Sequence, residues 1–303
     1  MGYRLREIEA DCKFSQELKL EVIEEIVPLS TIKAVLESEG CCEKRERKLN
    51  MAVTVLFLIV MHLHSHLSMG AAMRKASKGL RYIWPNPDAE FAGASALSYR
   101  RYQLGARPMV SLFHRICQPM ATAETPGAFL FGLRLMAIDG TVEDVADTPA
   151  NAAAFGRHQG DRGASAFPQA QGVYLIECGT HAVTDAGFWP CHTSERIGGF
   201  RVLRSVGPGM LVTWDRGFHD FEMVERTVAT GAEVLARVPK HVKLKPLHIF
   251  PDGSFLANIC PSDAKRRNAG VHITVRVIQY TLKDPAQPGY REVHRLITTL
   301  TDA

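Results

Sequence analysis

The sequence predicts an α/β protein in which an all-helical first part precedes a second part built around a mixed β-sheet. Apolar residues recur at helical spacing up to about residue 120, and strand-like spacing follows the segment from Ala121 to Gly127. That segment has the composition of a linker. The chain has 303 residues, about twice the commonest domain size, and a globular composition. We therefore expect two domains, residues 1–125 and 126–303.

The first part is predicted to consist of helices. Pro28 separates the first two, and a basic segment at residues 44–48 leads into a long apolar helix that Gly70 ends. Two shorter helices flank a Pro-rich loop, and Pro108 is typical of the first turn of a last helix. The predicted ranges are residues 15–26, 30–38, 49–69, 71–80, 95–104 and 108–120.

Neither export nor membrane insertion is expected from the sequence. The first thirty residues contain seven carboxylates, which a signal peptide does not tolerate in its apolar stretch. The one long apolar run, Leu49 to Met61, is far shorter than the roughly twenty residues that cross a bilayer. The seven cysteines include no Cys-x-x-Cys pair, which argues against a zinc ribbon and fits a reduced compartment. We expect a cytoplasmic protein without a membrane partner.

Charge is segregated along the chain. The net charge is +4, but residues 1–43 sum to −5 and residues 44–115 to +9, while the remainder cancels. A local excess of positive charge attracts a polyanion. The block at residues 44–115 is therefore a candidate surface for DNA, and solvated basic helix faces are the alternative explanation.

The short helices of the basic block resemble a helix-turn-helix type of DNA reader. Arg100 and Arg101 lie about 100° apart on one predicted helix, so that one can contact phosphate while the other packs or faces solvent. Arg107 is a further candidate for DNA contact. The long helix also carries three histidines, which an amphipathic core helix explains better than a metal site: His62, His64 and His66.

After the linker, the predicted order is a strand, a hairpin of two strands, a helix, a strand, a helix and a strand. This order is expected of a ribonuclease-H-like domain, and further antiparallel strands with tight turns follow it. The predicted strands are residues 133–138, 166–178, 181–189, 210–214, 232–238, 242–250, 255–259, 271–282 and 293–299. The predicted helices are residues 194–206 and 220–230.

Two aspartates are the candidate catalytic groups of this part. Asp139 and Asp215 each end an apolar strand, and each is followed within two residues by a glycine. Carboxylates held at neighbouring strand ends can share hard divalent cations. Two Mg²⁺ or Mn²⁺ ions about 4 Å apart stabilise both oxygens of a phosphoryl displacement. The alternative is that both Asp-Gly pairs are ordinary turns.

Two other chemistries share the tripeptide Asp-Gly-Thr at residues 139–141. A haloacid-dehalogenase-like phosphatase needs a nucleophilic Asp two positions before Asp139, where this chain has Ala137. An actin-like sugar kinase needs a second, Gly-rich phosphate loop and a second half-domain, and the sequence shows neither. Both are therefore disfavoured.

Several longer motifs are similar to the transposases of the insertion-element-four family. They are Leu135 to Thr141, Asp147 to Asn151, Phe155-Gly156, Ala166 to Gln169, Glu177 to His181, Gly207 to Met210 and Asp215 to Phe218. Residues from about Ile26 to Pro87 resemble the family's separate N-terminal domain. The segment around Ser95 to Gly105 resembles its joining segment. The resemblance covers most of the chain.

The resemblance implies an enzyme that transposes an insertion sequence, cutting and rejoining DNA with a DDE triad in a ribonuclease-H-like core that uses Mg or Mn. It implies Asp139 and Asp215 as the first two acidic residues and Arg216 as a contact to DNA phosphate. It also implies double-stranded DNA as partner, at element ends and target, a homodimer when acting on DNA, and association with the bacterial nucleoid. The mostly β segment from Pro239 to Leu300 is similar to the family's insertion before its closing helix.

The third acidic residue of the family is a Glu on a helix beyond that insertion. Tyr290 to Arg295 has neither the family's spacing nor a helical context, and we expect Glu292 to be a strand residue rather than a substitute. The resemblance thus implies a C-terminally truncated transposase. Little or no strand transfer by this chain alone is expected, since two metals that share two aspartates lack a ligand.

Two alternatives to an active transposase stay open. One is a non-catalytic DNA-binding product that occupies element ends through its basic block and interferes with an intact enzyme. The other is a different ribonuclease-H-like nuclease or phosphotransferase, because a fold alone does not fix the reaction.

Overall fold

The computed structural model describes residues 23, 25–43, 49–64, 66–72, 94–160, 163–287 and 289–302. Four predicted features lie outside them wholly or mostly: the basic segment at 44–48, the Pro-rich loop, and the two helices predicted at 15–26 and 71–80. The described residues form two compact units, one ending at Ile116 and one beginning at Cys117. This division falls ahead of the expected boundary between residues 125 and 126.

Four named helices are described in the first unit: α1 (Leu29–Ser38), α2 (Met51–Leu63), α3 (Ala94–Leu104) and α4 (Arg107–Ile116). The side chain of Asn50 caps α2 by accepting a hydrogen bond from the Val53 N–H. The helix ends at Leu63, earlier than predicted from the apolar run. A turn follows, and Ser68 accepts a hydrogen bond from the Ala71 N–H, so Ser68 begins a new helical segment ahead of Gly70.

The core of the first unit gathers around α2, which is buried on nearly all sides along Met51 to Leu58. Buried apolar side chains of the other three helices complete it: Ile32, Val35, Leu36, Leu97, Leu104 and Leu112. The long apolar run of the sequence is therefore a core helix, as predicted. Among the described helices, none combines the length and the apolar composition that a membrane span needs.

The second unit contains twelve described strands. They are β1 (Phe129–Leu130), β2 (Leu133–Asp144), β3 (Gln159–Gly160), β4 (Gly163–Ala164), β5 (Gln169–Glu177), β6 (Val183–Pro190), β7 (Met210–Trp214), β8 (Glu233–Arg237), β9 (His248–Ile249), β10 (Phe255–Ile259), β11 (Ile273–Thr281) and β12 (Val293–Thr298). Its helices are α5 (Pro149–Phe155), α6 (Glu195–Val202), α7 (Phe221–Ala229) and α8 (Ala264–Asn268).

Ten of these strands form one mixed sheet in the order β6-β5-β2-β7-β8-β12-β11-β10-β9, with β1 paired to β2. The pairs β6–β5 and β5–β2 are antiparallel, whereas the pairs β2–β7 and β7–β8 are parallel. From β8 onward, β12, β11, β10 and β9 continue the same sheet as antiparallel strands. The α/β class with a large mixed sheet is confirmed.

The core of this unit lies between the sheet and the helices α6 and α7. Sheet residues such as Met136, Val173 and Val212 are fully buried in it, together with Phe218 and Met223. One strand prediction is wrong: residues 242–250 contain only the short strand β9. Pro246 has no N–H to donate to a ladder, and the Arg295 guanidinium holds the carbonyls of residues 239, 240 and 242.

Candidate functional site

The register of β2 and β7 brings the two aspartates to the same place in the sheet. These strands are parallel neighbours, and their pairing runs from Arg134↔Met210 to Ile138↔Trp214. Asp139 and Asp215 each follow directly after that last pair. Because adjacent strands are about 4.8 Å apart, the two aspartates follow neighbouring positions of one sheet edge.

Asp139 does not end its strand, and the prediction that it does is wrong. The strand β2 continues to Asp144 through its antiparallel pairing with β5, in which Asp139 lies opposite Tyr174. What ends after Ile138 is the pairing with β7. Asp139 therefore lies where β2 extends past its parallel neighbour. Asp215 follows β7 as predicted and precedes a short 3₁₀ turn, Arg216–Phe218.

Both aspartates are exposed, and each has one local hydrogen bond. The Gly140 N–H donates to Oδ1 of Asp139 at 2.9 Å, and the Gly217 N–H donates to Oδ1 of Asp215 at 2.7 Å. Within the described residues, neither Oδ2 atom has a hydrogen-bond partner. The local bonds thus orient each carboxylate while one oxygen stays available for a ligand.

A third carboxylate, that of Glu195, lies beside both aspartate segments. A methyl group added to Gly140 would stand 2.8 Å from Oε1 of Glu195. A methyl group added to Gly217 would stand 3.3 Å from Oε2 of Glu195 and 2.9 Å from Oδ1 of Asp215. The carboxylates of Glu195 and Asp215 therefore border the same small space over Gly217. The sequence analysis missed Glu195.

Two glycines allow α6 to hold Glu195 in this place. Glu195 is the first residue of α6, and Gly198 and Gly199 are buried one turn later. A Cβ at Gly198 would lie 2.4 Å from Cγ2 of Val173 on β5. The lack of side chains lets the helix approach the sheet closely, and Gln171 of β5 donates to Oε1 of Glu195 at 3.4 Å.

The electrostatics agree with this arrangement. Burial, followed by the negative charges of Asp215 and Asp139, raises the pKa of Glu195 above its ordinary value. Like charges that share a site disfavour full ionisation, and a bound cation removes that penalty. The three groups therefore act on one another electrostatically.

The donor set suits a hard divalent cation by its chemistry. Carboxylate oxygens are the ligands that Mg²⁺ and Mn²⁺ prefer, and two aspartates at one sheet edge supply them. As the side chains stand, however, the described part of the chain contains no group of three or more His, Cys, Asp or Glu residues able to hold a metal ion. That finding covers the described histidines of the first unit too. Ligation at Asp139, Asp215 and Glu195 requires side-chain rotation.

Comparison with known proteins finds transposases of insertion elements. The family model described as insertion element 4 transposase N-terminal matches residues 17–114. The transposase InsG for insertion sequence element IS4 of Escherichia coli (strain K12) is 25% identical over 277 residues, which are 90% of this chain and 60% of that protein. The chain is similar to the insertion element 4 transposases. It spans 60% of the length of this curated relative.

A solved structure was also matched, at low similarity. It is a chain of the cryo-EM structure of the piggyBac transposase synaptic complex with hairpin DNA, with 11% sequence identity and a TM-score of 0.42. The match covers 96% of this chain and 63% of that chain. A score this low supports no conclusion. The similarity to insertion element 4 transposases rests on the sequence matches, and they confirm the resemblance found in the motifs.

The sequence analysis predicted DNA contacts for four arginines, and the structure separates them into buried and exposed side chains. Arg100 is buried, at 7% exposure, and its guanidinium donates to the Leu49 carbonyl and to Gln103 and pairs with Glu43. These contacts hold Arg100 inside the first unit and argue against its predicted contact with DNA. Its neighbour Arg101 is exposed, which is the division that the 100° offset on a helix allows.

The other two predicted arginines are accessible. Arg107 at the start of α4 is almost fully exposed and lies 3.6 Å from Oε2 of Glu39. Arg216 is exposed beside Asp215. Glu292 directly precedes β12 rather than lying in it, and its carboxylate forms an ion pair with Lys240 at 2.7 Å. No described contact joins Glu292 to Asp139 or Asp215.

Proposed function

We propose that this chain is a transposase that acts on the ends of an insertion element, with Asp139 and Asp215 as the acidic residues of its reaction site. The parallel register that ends at Ile138↔Trp214 is the observation that carries this proposal. It sets both aspartates at one edge of the sheet, each with an oxygen free. The similarity to insertion element 4 transposases supplies the reaction class.

The strand order supports a ribonuclease-H-like core within the second unit. Three antiparallel strands, β6, β5 and β2, continue into the parallel strands β7 and β8. The helix α6 connects β6 to β7, and α7 connects β7 to β8. In this proposal, the strands β9 to β12 correspond to the β-rich insertion expected for residues 239–300.

We infer that Glu195 supplies the third acidic side chain among the described residues. Its carboxylate borders the space that Asp215 borders, and it lies beside Gly140, which follows Asp139. Glu195 stands on a helix that two glycines hold against the sheet. A side chain at the first position of a helix can rotate without disturbing the core.

The residues have separate roles in the proposed reaction. Mg²⁺ or Mn²⁺, when bound, supplies charge stabilisation for both the attacking and the leaving oxygen. Asp139 and Asp215 would hold the cations, and Arg216 would bind a phosphate next to them. Water would first attack a phosphodiester at the element end and break its P–O3′ bond, which releases a 3′ hydroxyl. That hydroxyl would then attack a phosphodiester of the target strand and release a 3′ hydroxyl of the target.

DNA binding by the first unit is part of the same proposal. Arg101 and Arg107 are exposed arginines of the basic block, and Arg115 of the same block is exposed too. The duplex at the element end and the target duplex are the proposed partners, with a second copy of the chain when DNA is bound. Backbone phosphates dominate such binding and make it depend on salt.

We expect this chain alone to be weak in strand transfer. The reason is the geometry of the carboxylates, which in the described residues form no ready metal site. The decisive assay uses single-turnover cleavage of element-end DNA with Mn²⁺. The chain should nick DNA at least about tenfold faster than its Asp139→Asn variant, while Asp144→Asn, an exposed change on the same strand, should not slow it. Equal rates for the chain and Asp139→Asn would refute the proposal.

A non-catalytic DNA-binding product is the second candidate function. The absence of a ready metal group in the described residues favours it. Gel-shift titration at several salt concentrations tests it: tight, salt-dependent binding without any metal-dependent nicking would establish this function instead. Nicking that depends on Asp139 would exclude it.

A further inference from the structure

A cationic pocket lies next to the proposed reaction site in the second unit. Its charged lining consists of Arg216, Arg237, Lys240, Arg295, His294 and Glu292. Arg216 directly follows Asp215, Arg237 ends β8, and Arg295 lies in β12. The pairing of β8 with β12 sets Arg237 opposite Leu296 and so brings these elements together. The pocket therefore begins one residue from a proposed metal ligand.

Hydrogen bonds within the second unit build the pocket. The guanidinium of Arg295 donates to the carbonyls of Pro239, Lys240 and Val242, at 2.7 to 2.8 Å. These bonds hold the segment that carries Lys240. The guanidinium of Arg237 lies 3.4 Å from Nδ1 of His294. The three bonds of Arg295 fix the part of the wall that Arg295 and the backbone of residues 239–242 form.

The charges of the pocket favour an anion. Four permanent cations face a single carboxylate, that of Glu292. The Lys240 ammonium donates to Oε2 of Glu292 at 2.7 Å, and Lys240, followed by His294 and Arg216, lowers the pKa of Glu292. Glu292 therefore stands where positive charge converges, although its side chain is half exposed.

The Glu292 carboxylate already occupies one cation of the pocket. The enclosed space is small, ≈ 30 Å³, which is room for about a water molecule or two. An anion that binds the Lys240 ammonium must therefore compete with the carboxylate of Glu292. The exposed Glu292 side chain is free to move into solvent, whereas Arg295 is fixed by its three bonds.

We propose that the cationic pocket binds a phosphodiester group of the DNA strand that reaches Asp139 and Asp215, and that the carboxylate of Glu292 occupies Lys240 until that phosphate displaces it. The inference rests on the proposed function, because it takes DNA as the partner. It assigns Lys240 and Arg237 to DNA binding and gives Glu292 the role of a competing internal anion.

The test measures DNA affinity by fluorescence anisotropy over a salt series, with the full chain and a labelled element-end duplex. Glu292→Gln should bind roughly three- to tenfold tighter than the parent chain, with a salt slope steeper by about one. Glu225→Gln is the matched control, because it removes the same charge from an ion pair with Arg266 that lies outside the pocket. A gain no larger than that of the control would overturn the proposal.

Two further variants decide whether the gain comes from the pocket and from DNA. Adding Lys240→Gln to Glu292→Gln should abolish the gain, and its persistence would contradict the proposal. Replacing chloride by inorganic phosphate at equal ionic strength should remove little of the gain, whereas its complete loss would indicate a site for free phosphate. In an Asp139→Asn background the gain should persist. A failure of the cleavage assay with the gain intact would therefore reject the proposed reaction but not the pocket.

Discussion

Ile138 of β2 lies opposite Trp214 of β7 as the last pair of a parallel ladder, and an aspartate follows each of them. Beyond this point β2 pairs with β5 and no longer with β7. Glu195 borders that region from the start of α6. The positions of the three carboxylates therefore depend on the register of β2 with β7 and on the contact of α6 with β5.

The cation affinity of the site depends on Glu195 if these carboxylates act together. We expect Mg²⁺ to raise the melting temperature of the parent chain, since a ligand that binds only the folded state stabilises it. Glu195→Gln should reduce that rise by about half or more, and without metal it should melt higher because a like charge is removed. Glu143→Gln, an exposed change on β2, is the control. An equal Mg²⁺ response in all three proteins would show that Glu195 does not contribute.

The close contact between α6 and β5 predicts a specific stability effect. Gly198→Ala would place a methyl group 2.4 Å from the buried Val173 side chain, so the helix must move away from the sheet. The expected cost is about 1–3 kcal/mol in free energy of unfolding. Gly207→Ala meets no atom within 4 Å and should be nearly neutral. Urea denaturation compares the two, and similar midpoints would contradict the packing described.

Substitution of the two adjacent arginines of α3 should change different properties, folding stability for Arg100 and DNA binding for Arg101. Arg100→Ala removes a buried partner of Glu43 and should cost about 3 kcal/mol of folding free energy. Arg101→Ala should leave stability unchanged and lower the salt slope of DNA binding by about one. Denaturation and anisotropy on both variants check this. Weaker DNA binding by Arg100→Ala at unchanged stability would reverse the assignment.

An ion pair between the buried Asp185 and the exposed Arg204 predicts a pH dependence of stability in the second unit. Asp185 is fully buried; burial opposes its ionisation, but hydrogen bonds from Arg204 and Ser205 outweigh burial and lower its pKa. A depressed folded pKa means that this stability is present above the unfolded value near about 4 and is lost as the pH falls through the folded pKa.

The variant Asp185→Asn separates that contribution from general acid denaturation. It should cost about 2 kcal/mol at neutral pH. The difference from the parent chain should shrink as the pH is lowered below about 4. Urea titrations at neutral and acidic pH measure both values. A difference that stays constant with pH would mean that the Asp185 charge does not stabilise the fold.

The α/β class and the neighbouring positions of the two aspartates were predictable because their signals are local. Apolar runs that end in Asp-Gly or Asp-Arg-Gly mark the positions of Asp139 and Asp215 in the sequence itself. The true end of β2 was not predictable in this way. Its residues from 139 to 144 are polar and largely exposed, and their strand conformation depends on pairing with the distant β5.

Glu195, Arg100 and the cationic pocket depend on tertiary contacts that no local pattern reveals. The pair Gly198-Gly199 inside a helix was the available signal for a close helix–sheet contact, and hence for Glu195. Arg100 differs from Arg101 because it contacts Glu43, a residue more than fifty positions away in the sequence. The pairing of β8 with β12 brings residues 237–240 close to residues 292–295. Residue 216, which follows β7, completes the lining of the pocket.

The most direct test of the central claim is anomalous diffraction from crystals of the chain soaked in Mn²⁺. We expect a manganese peak within about 2.5 Å of carboxylate oxygens of both Asp139 and Asp215, with the Glu195 side chain rotated toward it. Crystals of Asp215→Asn should lose the peak. A peak elsewhere, or none at Mn²⁺ concentrations that support DNA cleavage, would contradict a shared cation site at the edge of β2 and β7.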